Sequence, residues 1–133
     1  ALSIANSKAH LGFIQAVALG ILCNAMVCLA VWLTYSARST MDKIAAIIFP
    51  IAAFVAAGFE HSVANMYFLP FALFIKQFDP AFVVKTGLDL SGLTWGTFLL
   101  NNLLPVTIGN MIGGAVLVGG VYWFVFLRQS KNQ

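Results

Sequence analysis

The sequence predicts an all-α membrane protein with three transmembrane segments, the middle one broken. Of its 133 residues, 61% are hydrophobic and only 8% charged, against roughly 25% charged in ordinary soluble domains. Charge-free runs, with the Glu60-His61 pair set aside, occupy 9–37, 44–59, 62–75 and 90–127. A helix needs about 20 apolar residues to cross a hydrocarbon core of roughly 30 Å. The first and last runs suffice alone, whereas the middle two reach only about 24 and 21 Å at about 1.5 Å per residue. Between those two stand Glu60 and His61, the only acidic or basic side chains in the apolar stretch 44–75. Polar groups at bilayer depth cost several kcal/mol unless a partner or a wet cavity receives them.

Lys8 and His10 precede a first span over 11–36, whose few polar interruptions are Gln15, Asn24 and Thr34. Asn24 and Val27 fall on one helical face at i, i+3. Cys23 and Cys28, five positions apart, point to different faces and read as buried free thiols. Ser39 followed by Asp42 fits a helix N-cap with a weak capping box, so the second segment spans 41–75. It carries a kink or strain at Pro50, runs to Ala57, breaks over 58–62 and resumes from Val63 to Ile75 with Pro70 inside. The mixed stretch 76–93 reads as an interfacial loop with a short amphipathic helix at 80–86. The last span, 94–127, is longer than the bilayer requires, and tilt, a kink at Pro105 or an unwound start would absorb the excess. The whole chain, 1–133, reads as one transmembrane half-domain.

The net charge of +3 is spread over termini and loops, which argues against nucleic-acid binding or a polybasic lipid anchor. With three crossings, Arg38, Lys43, Arg128 and Lys131 share one side and Lys8, Lys76 and Lys85 the other. The positive-inside rule then favours a cytoplasmic C-terminus by one charge. The chain begins at Ala1 without a signal-peptide pattern and is expected to belong to a longer polypeptide. It contains no Walker loop, dinucleotide fingerprint, paired-cysteine metal pattern or His-Glu-x-x-His zinc site. Neither an enzyme nor a cofactor site is expected.

His61 is the leading functional candidate, an imidazole at mid-depth in an irregular stretch that is tolerated only where protein or water covers it. Its bland alternative is a structural ring tied to a carbonyl. Glu60 and Gly58 are read as structural supports of the break. Asn24 and Asn110 are mid-span amides that helix-to-helix hydrogen bonds would also explain. Phe54, seven residues before His61, places an apolar ring near the polar centre. Gly109-x-x-x-Gly113 reads as close helix packing. A different functional class of similar size is the three-helix anchor subunit of a respiratory complex, binding haem b or quinone. Bis-histidine haem needs two deep imidazoles, and His10 lies near a membrane edge.

Several stretches resemble the formate/nitrite transporter family. They are Asn24-Ala25-Met26-Val27-Cys28 with Trp32 and Ser36, the stretch from Arg38 to Lys43, Gly58-Phe59-Glu60-His61-Ser62-Val63-Ala64-Asn65-Met66, and Pro105-Val106-Thr107-Ile108-Gly109-Asn110 with Gly113-Gly114. The resemblance covers the second half of the family pattern. It implies one inverted repeat of an aquaporin-like six-helix protomer, a missing N-terminal half as partner, and a homopentamer with one pore per subunit in a bacterial inner membrane. It also implies that His61 is the central pore histidine, Asn110 its asparagine partner and Asn24 a further pore-lining amide. Val27 and Phe54 would contribute to apolar constrictions, and Lys8 would be a vestibule lysine favouring anions. The expected activity is passage of formate or a similar small monovalent weak-acid anion, hydrogen-bonded or protonated by His61.

Overall fold

The computed structural model describes residues 2–128, and Lys131 lies outside them. Six helices follow in chain order: α1 (Leu2–Ala9), α2 (Phe13–Leu33), α3 (Thr40–Ala56), α4 (Ser62–Phe78), α5 (Pro80–Thr86) and α6 (Thr97–Leu127). Two stretches, Phe13–Thr34 and Thr97–Leu127, are long and apolar enough to cross a bilayer alone. α3 and α4 have 17 residues each, about 26 Å at the helical rise, and neither clears the hydrocarbon core comfortably.

α2 and α6 pack backbone to backbone because glycines face each other where they cross. A Cβ on Gly109 would overlap the Val17 carbonyl oxygen, and one on Gly113 would overlap that of Ile21. On the α2 side, a Cβ on Gly20 would stand 2.8 Å from the Val106 oxygen. In hydrocarbon, where apolar surface gains nothing by leaving lipid, such small-residue contacts are what bring helices together.

α1 was not expected from the sequence. Its buried residues Leu2, Ala5 and Ala9 form one face, which joins Leu69, Ala72 and Leu73 of α4 and Leu90, Leu93 and Phe98 in a single apolar cluster. Eight residues give too short a period to stand out in so apolar a chain.

α3 opens on a reciprocal cap. Asp42 N donates to Ser39 Oγ at 3.2 Å and Ser39 N donates to Asp42 Oδ2 at 3.0 Å. None of its residues is buried, and Ile48, Phe49 and Val55 are exposed. An apolar surface of that extent belongs against lipid or other protein. α4 continues to Phe78, so the first residues of the mixed stretch are helical, and α5 turns away from α4 by 108°. Asp79 Oδ1 accepts from Phe82 N at 3.0 Å to start α5. Lys76 Nζ donates to the carbonyls of Leu90 and Leu93 at 2.7 and 2.8 Å, which holds the following loop on α4.

α6 carries a further feature not expected from the sequence. The helix is continuous, with π-helical turns at Thr97–Leu103, Ile112–Gly119 and Trp123–Leu127. A π turn takes more residues for the same axial advance. The first of them ends where Pro105 enters the first turn of the α-helical stretch Leu104–Met111. Proline lacks the N–H that the ladder would demand, and it is tolerated in the first turn of an α-helical stretch.

Candidate functional site

The break between α3 and α4 is built from the backbone outward. Ala57 closes α3 with its N–H on Ala53 O. Gly58 then takes φ +69°, in the left-handed region that residues with a Cβ enter at a cost. Phe59 N donates back to Phe54 O at 3.1 Å. His61 occupies the N-cap of α4 in extended conformation, and its ring Nδ1 accepts from Val63 N at 3.2 Å. An imidazole nitrogen that accepts carries no proton, so in this arrangement Nε2 holds the ring N–H.

Asn110, buried in α6, ties the flanks of His61 to the α2–α6 pair. Its Nδ2 donates to Gly20 O at 2.9 Å and to Glu60 O at 3.0 Å, while its Oδ1 accepts from Ser62 N at 3.0 Å and Ser62 Oγ at 3.1 Å. These bonds grip the residues before and after His61 rather than the ring. Asn24 Nδ2 donates to the backbone oxygen of Asn110 at 2.6 Å. The amide of Asn24 therefore links α2 to α6.

The carboxylate of Glu60 enters a buried polar chain. Lys8 Nζ donates to Glu60 Oε1 and Asn65 Nδ2 to Glu60 Oε2, each at 2.6 Å. Asn65 Nδ2 also donates to Asn102 Oδ1 at 2.8 Å, and Asn102 Nδ2 returns to the Lys8 carbonyl at 3.0 Å. The chain joins α1, the break, α4 and α6. A buried ion pair is costly unless further hydrogen bonds reach its charged groups, and Asn65 supplies one to the second carboxylate oxygen of Glu60. Asn65 and Asn102 were missed as site residues; their available signal was an amide inside an apolar helix, with Asn102 two turns before Asn110. Lys8, counted above among loop cations, is a half-buried member of this pair and leaves the loop charge count.

Lys8, Phe54 and His61 line one cavity of about 290 Å³ together with Gly58, Phe59 and Phe68. The rings of Phe54 and His61 lie 6.1 Å apart at 31°. Val27 lies elsewhere, with Cys28, Trp32, Gly114 and Tyr122 on a cavity of about 470 Å³ between α2 and α6. The structure thus brings Lys8, Phe54, Glu60, Gly58 and His61 together, braces them with Asn110 and Asn24, and sets Val27 apart. Among the described residues no three His, Cys, Asp or Glu side chains gather as a metal site would require.

Comparisons with known proteins add a family context. A family model described as formate/nitrite transporter matches residues 1–124. The chain is 51% identical over 135 residues to formate channel FocA of Escherichia coli strain K12, covering 98% of this chain and 47% of that protein. It is 47% identical over 107 residues to a probable formate transporter of Methanothermobacter thermautotrophicus, covering 80% of this chain and 34% of that protein. A solved pentameric formate channel with formate bound superposes with a TM-score of 0.85 at 48% identity, over 95% of this chain and 51% of that one. The chain spans about half the length of the curated relatives it matches.

Proposed function

Because this chain belongs to the formate/nitrite transporter family, we propose that it supplies one wall of a transmembrane route for formate or a similar small monovalent weak-acid anion, with His61 meeting the anion at the centre. The observation that carries this reading is the position of the His61 ring, at a helix break, on a cavity shared with Phe54 and Lys8. An anion stripped of water in such a place needs a donor. With Nδ1 accepting from Val63 N, the Nε2–H is that donor. To protonate the anion, His61 must first take a proton from water on Nδ1, which costs the Val63 bond. The imidazolium then gives its Nε2 proton to the anion and is left as the neutral Nδ1–H imidazole, so proton delivery is linked to the cap of α4. The neutral acid so formed passes barriers that stop inorganic ions of similar size.

In this reading α3 and α4 form one broken span of an inverted repeat, Phe54 narrows the route on one side of His61, and Val27 narrows it on the other. The half-length match supports a second half of the same protein as the facing wall, and the pentameric relative supports a homopentamer. No bond of substrate is permanently changed, so the activity is transport and not enzymatic. The setting proposed is a bacterial inner membrane with the C-terminus cytoplasmic. Family membership favours this reading over a haem- or quinone-binding anchor.

The test is formate flux into liposomes carrying the complete protein with His61→Phe. Severe loss of flux with assembly intact is expected, and undiminished flux with the same pH dependence would defeat the reading.

A further inference from the structure

A groove of about 630 Å³ lies between α2 and α3 and shares no lining residue with the cavity of His61. Met26, Leu33 and Ser36 form one wall, and Ala46, Phe49 and Ala53 the other. All but Ser36 are apolar, and Leu33 and Phe49 are exposed. Ser36 and Ala46 mark the end of the groove beside the loop that joins the two helices. Lys43, in the first turn of α3, shares a helical face with Ala46 and Ala53 at i, i+3 and i+10. Arg38 stands in the loop itself.

We infer that this groove holds an acyl chain of an anionic phospholipid, whose phosphate sits at the loop against Arg38 and Lys43. Two observations favour that occupant. The first is charge. Arg38 and Lys43 are exposed, and neither pairs with a carboxylate among the described residues. The one acidic residue of the loop, Asp42, accepts from Ser39 N at 3.0 Å through Oδ2, so it closes the cap of α3 instead of neutralising either cation. Basic side chains at the mouth of a pocket between membrane helices are what an anionic headgroup requires. The second observation is depth. From Lys43 to Ala53 the helix rises about 15 Å at about 1.5 Å per residue, half of a hydrocarbon core of roughly 30 Å. The groove therefore has the reach of one leaflet, and a lipid chain that fills it brings its phosphate level with the two cations. This inference needs α2 and α3 to stand in a bilayer and is independent of what His61 does.

The experiment uses the complete protein with Phe49 replaced by the photoreactive p-benzoylphenylalanine, reconstituted in liposomes of equal parts phosphatidylglycerol and phosphatidylcholine with matched chains. Irradiation joins the ring to whatever occupies the groove, and mass spectrometry identifies the adduct. Phosphatidylglycerol adducts are expected to outnumber phosphatidylcholine adducts several-fold, since each cation near an anionic headgroup is worth a preference of about five-fold. Arg38→Gln with Lys43→Gln is expected to bring the two lipids to equal capture while lipid labelling continues. Should the variant at position 49 fail to assemble, Leu33 on the facing wall carries the probe. Adducts to the other half of the polypeptide or to a second copy of the protein would overturn the inference. So would equal capture of the two lipids by the parent, or a preference that survives removal of both cations.

Discussion

Lys8 Nζ lies 2.6 Å from Glu60 Oε1, joining the end of α1 to the break between α3 and α4 across 52 residues of sequence. With side chains 16% and 3% exposed, the pair is largely withdrawn from water. Removing one partner of such a pair leaves an uncompensated charge and costs about 3–5 kcal/mol. Lys8→Met is therefore expected to lower the melting temperature of the detergent-solubilised protein sharply, and Lys8→Met with Glu60→Leu to recover part of the loss. A double variant no more stable than the single one would show that the pair is not what fixes the break.

Asn110 combines two donations and two acceptances, and no isosteric residue reproduces them. Asn110→Asp keeps acceptors for Ser62 but removes the donors to Gly20 O and Glu60 O. Each buried group left unpaired costs about 1–3 kcal/mol. Asn110→Asp is expected to be at least as damaging as Asn110→Leu, measured by thermal unfolding and by formate flux.

The N-cap and the imidazole chemistry of His61 are separable. Asparagine is among the best N-cap residues, whereas a non-capping side chain loses about 1 kcal/mol. His61→Asn is expected to retain the thermal stability that His61→Phe loses. Loss of flux in His61→Asn relative to the parent, with thermal stability retained, then reports the ring rather than the fold.

Glycines of α6 fall into two groups. Gly109→Ala and Gly113→Ala drive a methyl into α2 carbonyl oxygens, while a Cβ on Gly120 meets nothing within 4 Å. The first two are expected to disrupt assembly on size-exclusion chromatography. Gly120→Ala is expected to stay within about 1 kcal/mol of the parent in thermal unfolding, on the stabilising side if anything.

In the loop before α6, Asp89 Oδ1 accepts from Ser91 N at 2.9 Å. The hydrogen bonds from the Ser91 backbone and side chain, with help from His10 and Lys76, hold the Asp89 carboxyl below its ordinary value of 3.8. A depressed folded value means that the stabilisation is complete above the unfolded value and is lost as pH falls through the folded one. The turn is therefore expected to be indifferent to pH near neutrality and to loosen only in strong acid. An NMR titration of the Asp89 carboxyl should show its midpoint rising toward 3.8 in Ser91→Ala.

Local signals in the sequence were readable where the chemistry is local. The Ser39–Asp42 cap follows from residue types three apart, and a break expected over 58–62 from glycine and paired polar residues inside an apolar run lies one residue from the irregular stretch 57–61. The Gly109 and Gly113 contacts with α2 follow from their spacing. What stayed hidden was tertiary. Neither Lys8 on Glu60 nor Asn102 on the Lys8 carbonyl leaves a trace in short-range pattern, because their partners are 52 and 94 residues away. The separation of Val27 from Phe54 depends on how α2 meets α6. The π turns of α6 depend on packing along a whole helix, and composition does not record it.

Gly58 has φ +69°, and a Cβ built on it would meet nothing within 4 Å. Space is available there, yet an L side chain pays roughly 1–2 kcal/mol for that backbone conformation. The constraint at this position is one of handedness. A semisynthetic protein with D-alanine at 58 would seat its methyl without strain, while the mirror-image L-alanine would pull the turn toward a right-handed geometry and carry the imidazole three residues on out of register with its cavity.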